Sequence, residues 1–223
     1  VFVEGISEAI LLPEIAKILD RPLEKYAVEL VNVDSVAFSP FVNLFSSHNV
    51  QTCFSKVAIV TDDDRCTKKS ETNYINKDFD YDDVNSDISG KLLSGTPSER
   101  CNELETSCRA VGINVFKATK TLEYALCCDE NNIEYFIEAI KSEYSQLGPA
   151  LEQKVNSLHD MNEKAACVWL FIRAREKCKG AIAQYISQII KKQCEMRKRG
   201  ENIEKEFVIP DYLKEAVYCV TER

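Results

Sequence analysis

The stretch Val57-Ala58-Ile59-Val60-Thr61-Asp62-Asp63-Asp64 decides the fold. Four consecutive apolar residues leave no polar face, which is the pattern of a strand covered on both sides in a parallel sheet. The run then stops on a threonine and three aspartates. In open α/β sheets the carboxyl ends of the strands lie along one edge, and that edge is where such folds place their sites. Side chains alternate along a strand, so Asp62 and Asp64 share one side while Asp63 points away as a bystander.

Towards the N-terminus, Val1-Phe2-Val3 reads as a first short strand with Gly5 as a turn residue. Ser7 then caps a helix whose apolar positions Ile10, Leu11, Ile15, Ile18 and Leu19 fall on one side, with Pro13 marking a kink or a late start. Residues 26–33 read as a second strand and 38–45 as a short apolar helix. Towards the C-terminus, residues 66–97 are polar and acidic, which predicts a long surface insertion. Residues 98–111 read as a helix and 113–118 as a fourth strand. Alternation of strands and helices with apolar central strands predicts a parallel sheet with helices on both faces. From residue 129 the pattern is helical, over 134–147, 162–174 and 179–196. Gly200 is a stop, and Pro210 sits in the first turn of a last helix over 211–220.

The chain has 223 residues, 45% hydrophobic and 29% charged, with a formal net charge of -8. That composition excludes a disordered chain, and no apolar run reaches the roughly 18 residues of a spanning helix. The opening residues carry no initiator Met and no basic leader, and the expectation is a fragment of a longer protein. Ten cysteines occur without any C-x-x-C pair, several within apolar stretches, and the two histidines, His48 and His159, are far apart. The reading is reduced thiols packed as small hydrophobes in a cytoplasmic protein, not a disulfide scaffold or a structural zinc site.

The acidic residues at strand ends carry the chemistry. Glu4 ends the first strand, Glu8 lies in the first turn of the following helix, and Asp62 and Asp64 end the central strand. Clustered carboxylates repel one another and stay ionised at low cost around a cation, and hard oxygen ligands favour Mg²⁺ or Mn²⁺. The bland alternative is real for each piece: a strand-end D-x-D is common, and a Glu at a helix N-terminus stabilises through the dipole alone.

Val3-Glu4-Gly5-Ile6-Ser7-Glu8 followed by Val57-Ala58-Ile59-Val60-Thr61-Asp62-Asp63-Asp64 resembles the Toprim (topoisomerase–primase) domain. Thr121-Leu122-Glu123-Tyr124-Ala125-Leu126, Lys179-Gly180-x-x-Ala183-Gln184 and Ile209-Pro210-Asp211-Tyr212-Leu213-Lys214-Glu215-Ala216 narrow the resemblance to the OLD (overcoming lysogenization defect) family of nucleases. The resemblance implies a Toprim-like α/β core over residues 1–128, with the insertion near 66–97, and a helical region over 129–223 whose helix from about residue 179 packs back on the core. It implies a DNA endonuclease working by two divalent cations, Mg²⁺ or Mn²⁺, held by Glu4, Glu8, Asp62, Asp64 and Glu123, with Lys179 facing the scissile phosphate. It also implies an ABC-type ATPase domain upstream, a homo-oligomer through that domain, and a part in phage defence. No G-x-x-x-x-G-K-[ST] occurs in this chain. Ala125 stands where relatives often carry an acid, and Asp34-Ser35-Val36 where they are often glycine-rich; both touch substrate preference and leave every matched ligand in place.

Without the resemblance, Glu123 reads as a solvated helix residue and Lys179 as either a phosphate contact or plain surface charge. Charge distribution bears on the choice. Residues 61–90 hold nine acids against four bases, whereas 171–200 hold nine bases against two acids. Lys177, Lys179, Lys191, Lys192, Arg197, Lys198 and Arg199 therefore form a candidate grip on a DNA backbone, surrounding Lys179, or else a solvated face. Two other readings remain open: a regulatory or assembly Toprim module of an ATPase-coupled defence protein, and a primase or topoisomerase fragment.

Overall fold

The computed structural model describes residues 1–45 and 56–222. His48 and Cys53 lie outside the described residues. Four strands, β1 (Phe2–Val3), β2 (Val31–Asn32), β3 (Ala58–Asp62) and β4 (Asn114–Ala118), form one sheet in the order β2-β1-β3-β4. Every pairing is parallel: Phe2 lies opposite Val31 and Ile59, Val3 opposite Asn32 and Val60, and Asp62 opposite Ala118. The β3 residues 58–61 are buried, as their unbroken apolar run requires. The second strand is much shorter than residues 26–33. Pro22 opens a tight turn over Leu23–Tyr26, and Ala27 leaves it in the left-handed region at φ 54°. Extended backbone is recovered only in time to pair with the two residues of β1.

Alternation sorts the side chains onto two faces. Phe2, Val57, Ile59 and Val115 pack with Phe38, which precedes α2 (Ser39–Leu44), with Val42 of that helix, and with Leu104 and Cys108 of α4 (Glu99–Arg109). Val3, Ala58, Val60 and Phe116 face the larger core, which runs from Val1 to Val220 and draws on both halves of the chain. There α1 (Ile6–Ile18) lies along α9 (Lys179–Lys198), and α10 (Asp211–Thr221) packs on β3, β4 and α1. Around them stand α5 (Leu122–Cys127), α6 (Glu130–Glu143), α7 (Leu147–Ser157) and α8 (Met161–Ala174). The fold is α/β with a helical lobe whose apolar surface is continuous with that of the sheet. Among the described residues no helix is long and apolar enough to cross a membrane, and nine cysteines are free thiols.

Several local readings need correction. Gly5, not Ser7, precedes the first turn of α1, and the helix runs through Pro13 without a late start. The insertion is not a surface feature throughout. It contains α3 (Ser86–Ser94), capped by the Asn85 side chain accepting from the Ile88 amide at 3.0 Å. Tyr81, Val84, Ile88 and Leu92 are buried in the main core. Their spacing of three, four and four is helical, diluted by the Asp, Asn and Ser residues between them. Arg173 of α8 straps the same segment down, donating to the Asn76 and Phe79 carbonyls at 3.0 and 2.7 Å. Helix α7 was concealed by Gly148-Pro149, but Pro149 falls in its first turn, where a missing N–H costs nothing. Gly148 is required by packing: a Cβ there would stand 2.6 Å from the Lys141 Cα.

Candidate active site

Because the strands are parallel, Glu4, Asp62 and the β4–α5 turn emerge on one edge. Asp62 accepts from the Leu122 amide at 2.9 Å, tying the end of β3 to the start of α5. Glu4 accepts from the Asp62 amide at 3.2 Å and from the Thr61 hydroxyl, bridging β1 to β3. Thr121 caps α5, its hydroxyl accepting from the Tyr124 amide, and this sets Glu123 in the first turn, only 6% exposed. Glu8 lies in the first turn of α1, 8% exposed. Ser7 beside it donates to Glu123 Oε1 at 3.3 Å, joining the two helix starts. Lys179, the first residue of α9, brings its Nζ to 3.9 Å from the same Glu123 oxygen, more than fifty residues after it in the chain.

The electrostatics follow from this crowding. Burial first, then the Glu123 and Glu4 charges, push the Glu8 carboxyl up to about 7. Burial and the charges of Glu8, Glu123, Glu4 and Asp64 hold Asp62 well above the usual carboxylate range. Lys179 moves upward: the Glu123 carboxylate, aided by Asp62, Glu176 and Glu8, outweighs the cost of its burial. Fully ionised, Glu8, Asp62 and Glu123 would carry more negative charge than the one ammonium beside them can neutralise, which is why Glu8 and Asp62 favour their protonated forms.

Glu4 and Asp64 are differently placed. Asp64 adopts a left-handed φ of 51°, and Arg100 of α4 reaches it at 2.7 Å, with Glu4 at 3.9 Å and the Asp62 carbonyl at 3.2 Å. Arg100 was not legible as a site residue, because its sequence neighbourhood is that of an ordinary polar helix. Asp63 is no bystander. It points away from the cluster, as alternation requires, but it is 2% exposed and accepts from the Lys120 amide at 2.9 Å, the Arg65 amide at 3.1 Å and the Arg65 guanidinium at 2.6 Å. It thereby closes the two loops that carry Asp64 and Glu123. Tyr212, within the C-terminal motif, also joins the site. Its hydroxyl is buried with no hydrogen-bond partner among the described residues, and burial together with Asp62, Glu8 and Glu123 holds it strongly protonated.

Among the described residues no three Asp, Glu, His or Cys side chains stand as a preformed ligand shell. Amides, hydroxyls and Arg100 hold the carboxylates in place instead. The donor chemistry nonetheless fits a hard divalent cation: every candidate ligand is a carboxylate oxygen, and mutual repulsion is relieved when a cation neutralises it.

The basic stretch is dispersed. Lys177, Lys191, Lys192 and Lys198 are exposed. Arg197 donates to the Ile18 carbonyl at 3.1 Å and pairs with Glu206, and Arg199 pairs with Glu201 at 2.7 Å. At a rise of about 1.5 Å per residue, residues 197–199 sit roughly 28 Å along α9 from Lys179. The run leads away from Lys179 and does not surround it.

A parallel sheet with a strand-end glutamate and a D-x-D on one edge defines a Toprim domain. Residues 1–64 match the family model described as "Overcoming lysogenization defect protein-like, TOPRIM domain". The fold of nearly the whole chain is that of the C-terminal region of OLD proteins. The Xanthomonas campestris pv. campestris protein superposes with a TM-score of 0.58 at 20% identity, over 99% of this chain and 92% of that one. The Burkholderia pseudomallei protein does so with a TM-score of 0.54 at 20% identity, over 98% and 94%. No curated protein matches the sequence.

Proposed function

We propose that the chain is the nuclease region of an OLD-type protein, hydrolysing DNA phosphodiesters with two divalent cations, Mg²⁺ or Mn²⁺. The observation that carries this reading is the trio Glu8–Asp62–Glu123 at the sheet edge, crowded enough to raise Glu8 and Asp62 and set beside Lys179. Glu4, Glu8, Asp62, Asp64 and Glu123 would hold the cations. When bound, these supply an activated water and stabilise the leaving 3′-oxygen. Lys179 offers its ammonium to the phosphate oxygens, where charge builds up in the transition state. Ser7 and the Leu122 amide hold Glu123 and Asp62 in orientation. Residues 1–128 act as the catalytic core and 129–223 as the region that delivers Lys179. Exposed Lys177, Lys191, Lys192 and Lys198, with Arg197 and Arg199 in part, contribute backbone contacts that do not read sequence. In the same reading an upstream ABC-type ATPase domain regulates and oligomerises the protein, which acts in the cytoplasm in phage defence. Nicking of supercoiled plasmid tests it: conversion to open circles is expected with Mn²⁺ or Mg²⁺ and none with EDTA, and inactivity with every metal would overturn it. The second reading, a regulatory Toprim module, draws on Arg100, which neutralises Asp64 and Glu4 in this state.

A further inference from the structure

Beside the carboxylate edge lies a cavity of about 260 Å³ with a charge opposite to that of the edge. Its lining includes Lys77, Lys120 and Arg173 and one carboxylate, Glu176. Lys120 is 4% exposed, donates to the Arg65 carbonyl at 2.6 Å and stands 5.2 Å over the Trp169 ring. The Arg173 guanidinium lies 4.7 Å over the same ring, so the fold places two cations against one aromatic side chain. Burial is the main cause of a downward shift of the Lys120 ammonium, to which the Arg173 charge adds. The Arg173 Nε is buried without an acceptor. Among the described residues no carboxylate is ion-paired with Lys77, Lys120 or Arg173. Structural straps account for part of this set, since Arg173 also holds the Asn76 and Phe79 carbonyls. They do not account for two like charges brought together around a void, nor for a buried guanidinium N–H left unused, which is costly unless an acceptor arrives.

We propose that this cavity is a phosphate subsite. Three cations against one carboxylate suit a compact, multiply charged anion, and the Lys120 ammonium and Arg173 guanidinium supply charge-assisted donors from two directions. Lys120 lies two residues beyond the end of β4 and feels the charges of Asp64 and Asp62, so the cavity flanks the carboxylate edge. A nucleic-acid strand laid along that edge would set a neighbouring phosphate here. That part of the inference rests on the nuclease reading; the phosphate chemistry of the cavity does not.

The test uses inorganic phosphate with the parent chain in EDTA, followed by calorimetry and by ³¹P line broadening, so that no metal-bound phosphate contributes. Saturable binding is expected. Lys77→Gln, at the exposed rim, should weaken it about three- to tenfold, while Glu176→Gln should tighten it about threefold, in line with one partly screened charge in each case. A gain of affinity cannot come from misfolding. A second arm separates the sources of phosphate: displacement by a short single-stranded oligonucleotide, weakened by Lys77→Gln, assigns the subsite to a strand, and displacement by a mononucleotide but not the oligonucleotide assigns it to a free phosphate. Absence of saturable phosphate binding, or affinities unchanged in both variants, would overturn the subsite whether or not the chain cleaves DNA.

Discussion

The two parts of the acidic edge are built from the same side chains and held in opposite electrostatic states. Glu8 and Glu123 are buried and Asp62 half-buried, with Lys179 the one cation ion-paired to the trio among the described residues, and the Glu8 and Asp62 carboxyls are pushed upward. Glu4 and Asp64 share Arg100, and Glu4 also takes hydrogen bonds from Thr61 and the Asp62 amide. The difference teaches that proximity of carboxylates does not by itself make a strong cation site. The trio is relieved without metal only by Lys179 and by protons that a divalent ion would displace, whereas the pair must first part from its arginine. Metal is therefore expected to fill the trio first and the pair second.

Asp62→Asn attacks the comparison hardest. It removes the carboxylate shared by the whole cluster, and plasmid nicking should fall by roughly 10³-fold, the scale of several kcal/mol of lost transition-state stabilisation. Retention of more than a tenth of parental activity would move the site elsewhere. Lys179→Ala should cost about 10²-fold in cleavage while leaving the metal-dependent rise in melting temperature intact, because its charge serves the phosphate and not the cation. Loss of the metal effect as well would make it a structural partner of Glu123.

Glu8→Gln sharpens the contrast without any assay of activity. Glu8 is raised from 4.5 to about 7, so the native state holds a proton that the unfolded chain releases. The stability linked to that proton is complete below about pH 4.5 and is lost as pH rises through 7. Gln cannot ionise, so the metal-free variant should exceed the parent in stability at pH 8 by about 3 kcal/mol, with the gain fading as pH falls towards 4.5. Urea unfolding at pH 5 and pH 8 measures it, and an equal difference at both would contradict a strained Glu8. Arg100→Gln carries the smallest effect. Freeing a half-exposed pair should tighten the weaker metal event about two- to fivefold in a two-site titration. A loss of metal affinity would instead make Arg100 the support that aims Asp64.

Much of this arrangement was legible in the sequence, and the reasons differ by element. The β3 run announced both a central strand and a sheet edge, because an apolar run with no polar face has few other homes. Glu4, Asp62 and Asp64 were candidates from strand direction, and Glu8 from its place in the first turn of the helix after the first strand. Glu123 and Lys179 did not: each sits on a helix start that periodicity treats as surface, and only resemblance to a family singled them out. Arg100 joins α4 to the same edge through tertiary contacts that nothing local marks, and Ser7 and Tyr212, though inside the motifs, carried no site role until α1 and α10 were seen to pack there. The insertion misled because Tyr81, Val84, Ile88 and Leu92 are apolar at helical spacing yet outnumbered by polar neighbours. Composition averages hid what spacing would have shown. The basic stretch misled in the opposite way, since closeness in sequence to Lys179 becomes distance along a straight helix.

The most direct measurement is Mn²⁺ titration of the chain followed by electron paramagnetic resonance, comparing the parent with Asp62→Asn. The account requires saturable binding by the parent at micromolar to millimolar Mn²⁺, competition by Mg²⁺, and loss of the tighter event in the variant. Equal binding by the two proteins, or none by the parent up to millimolar metal, would contradict it.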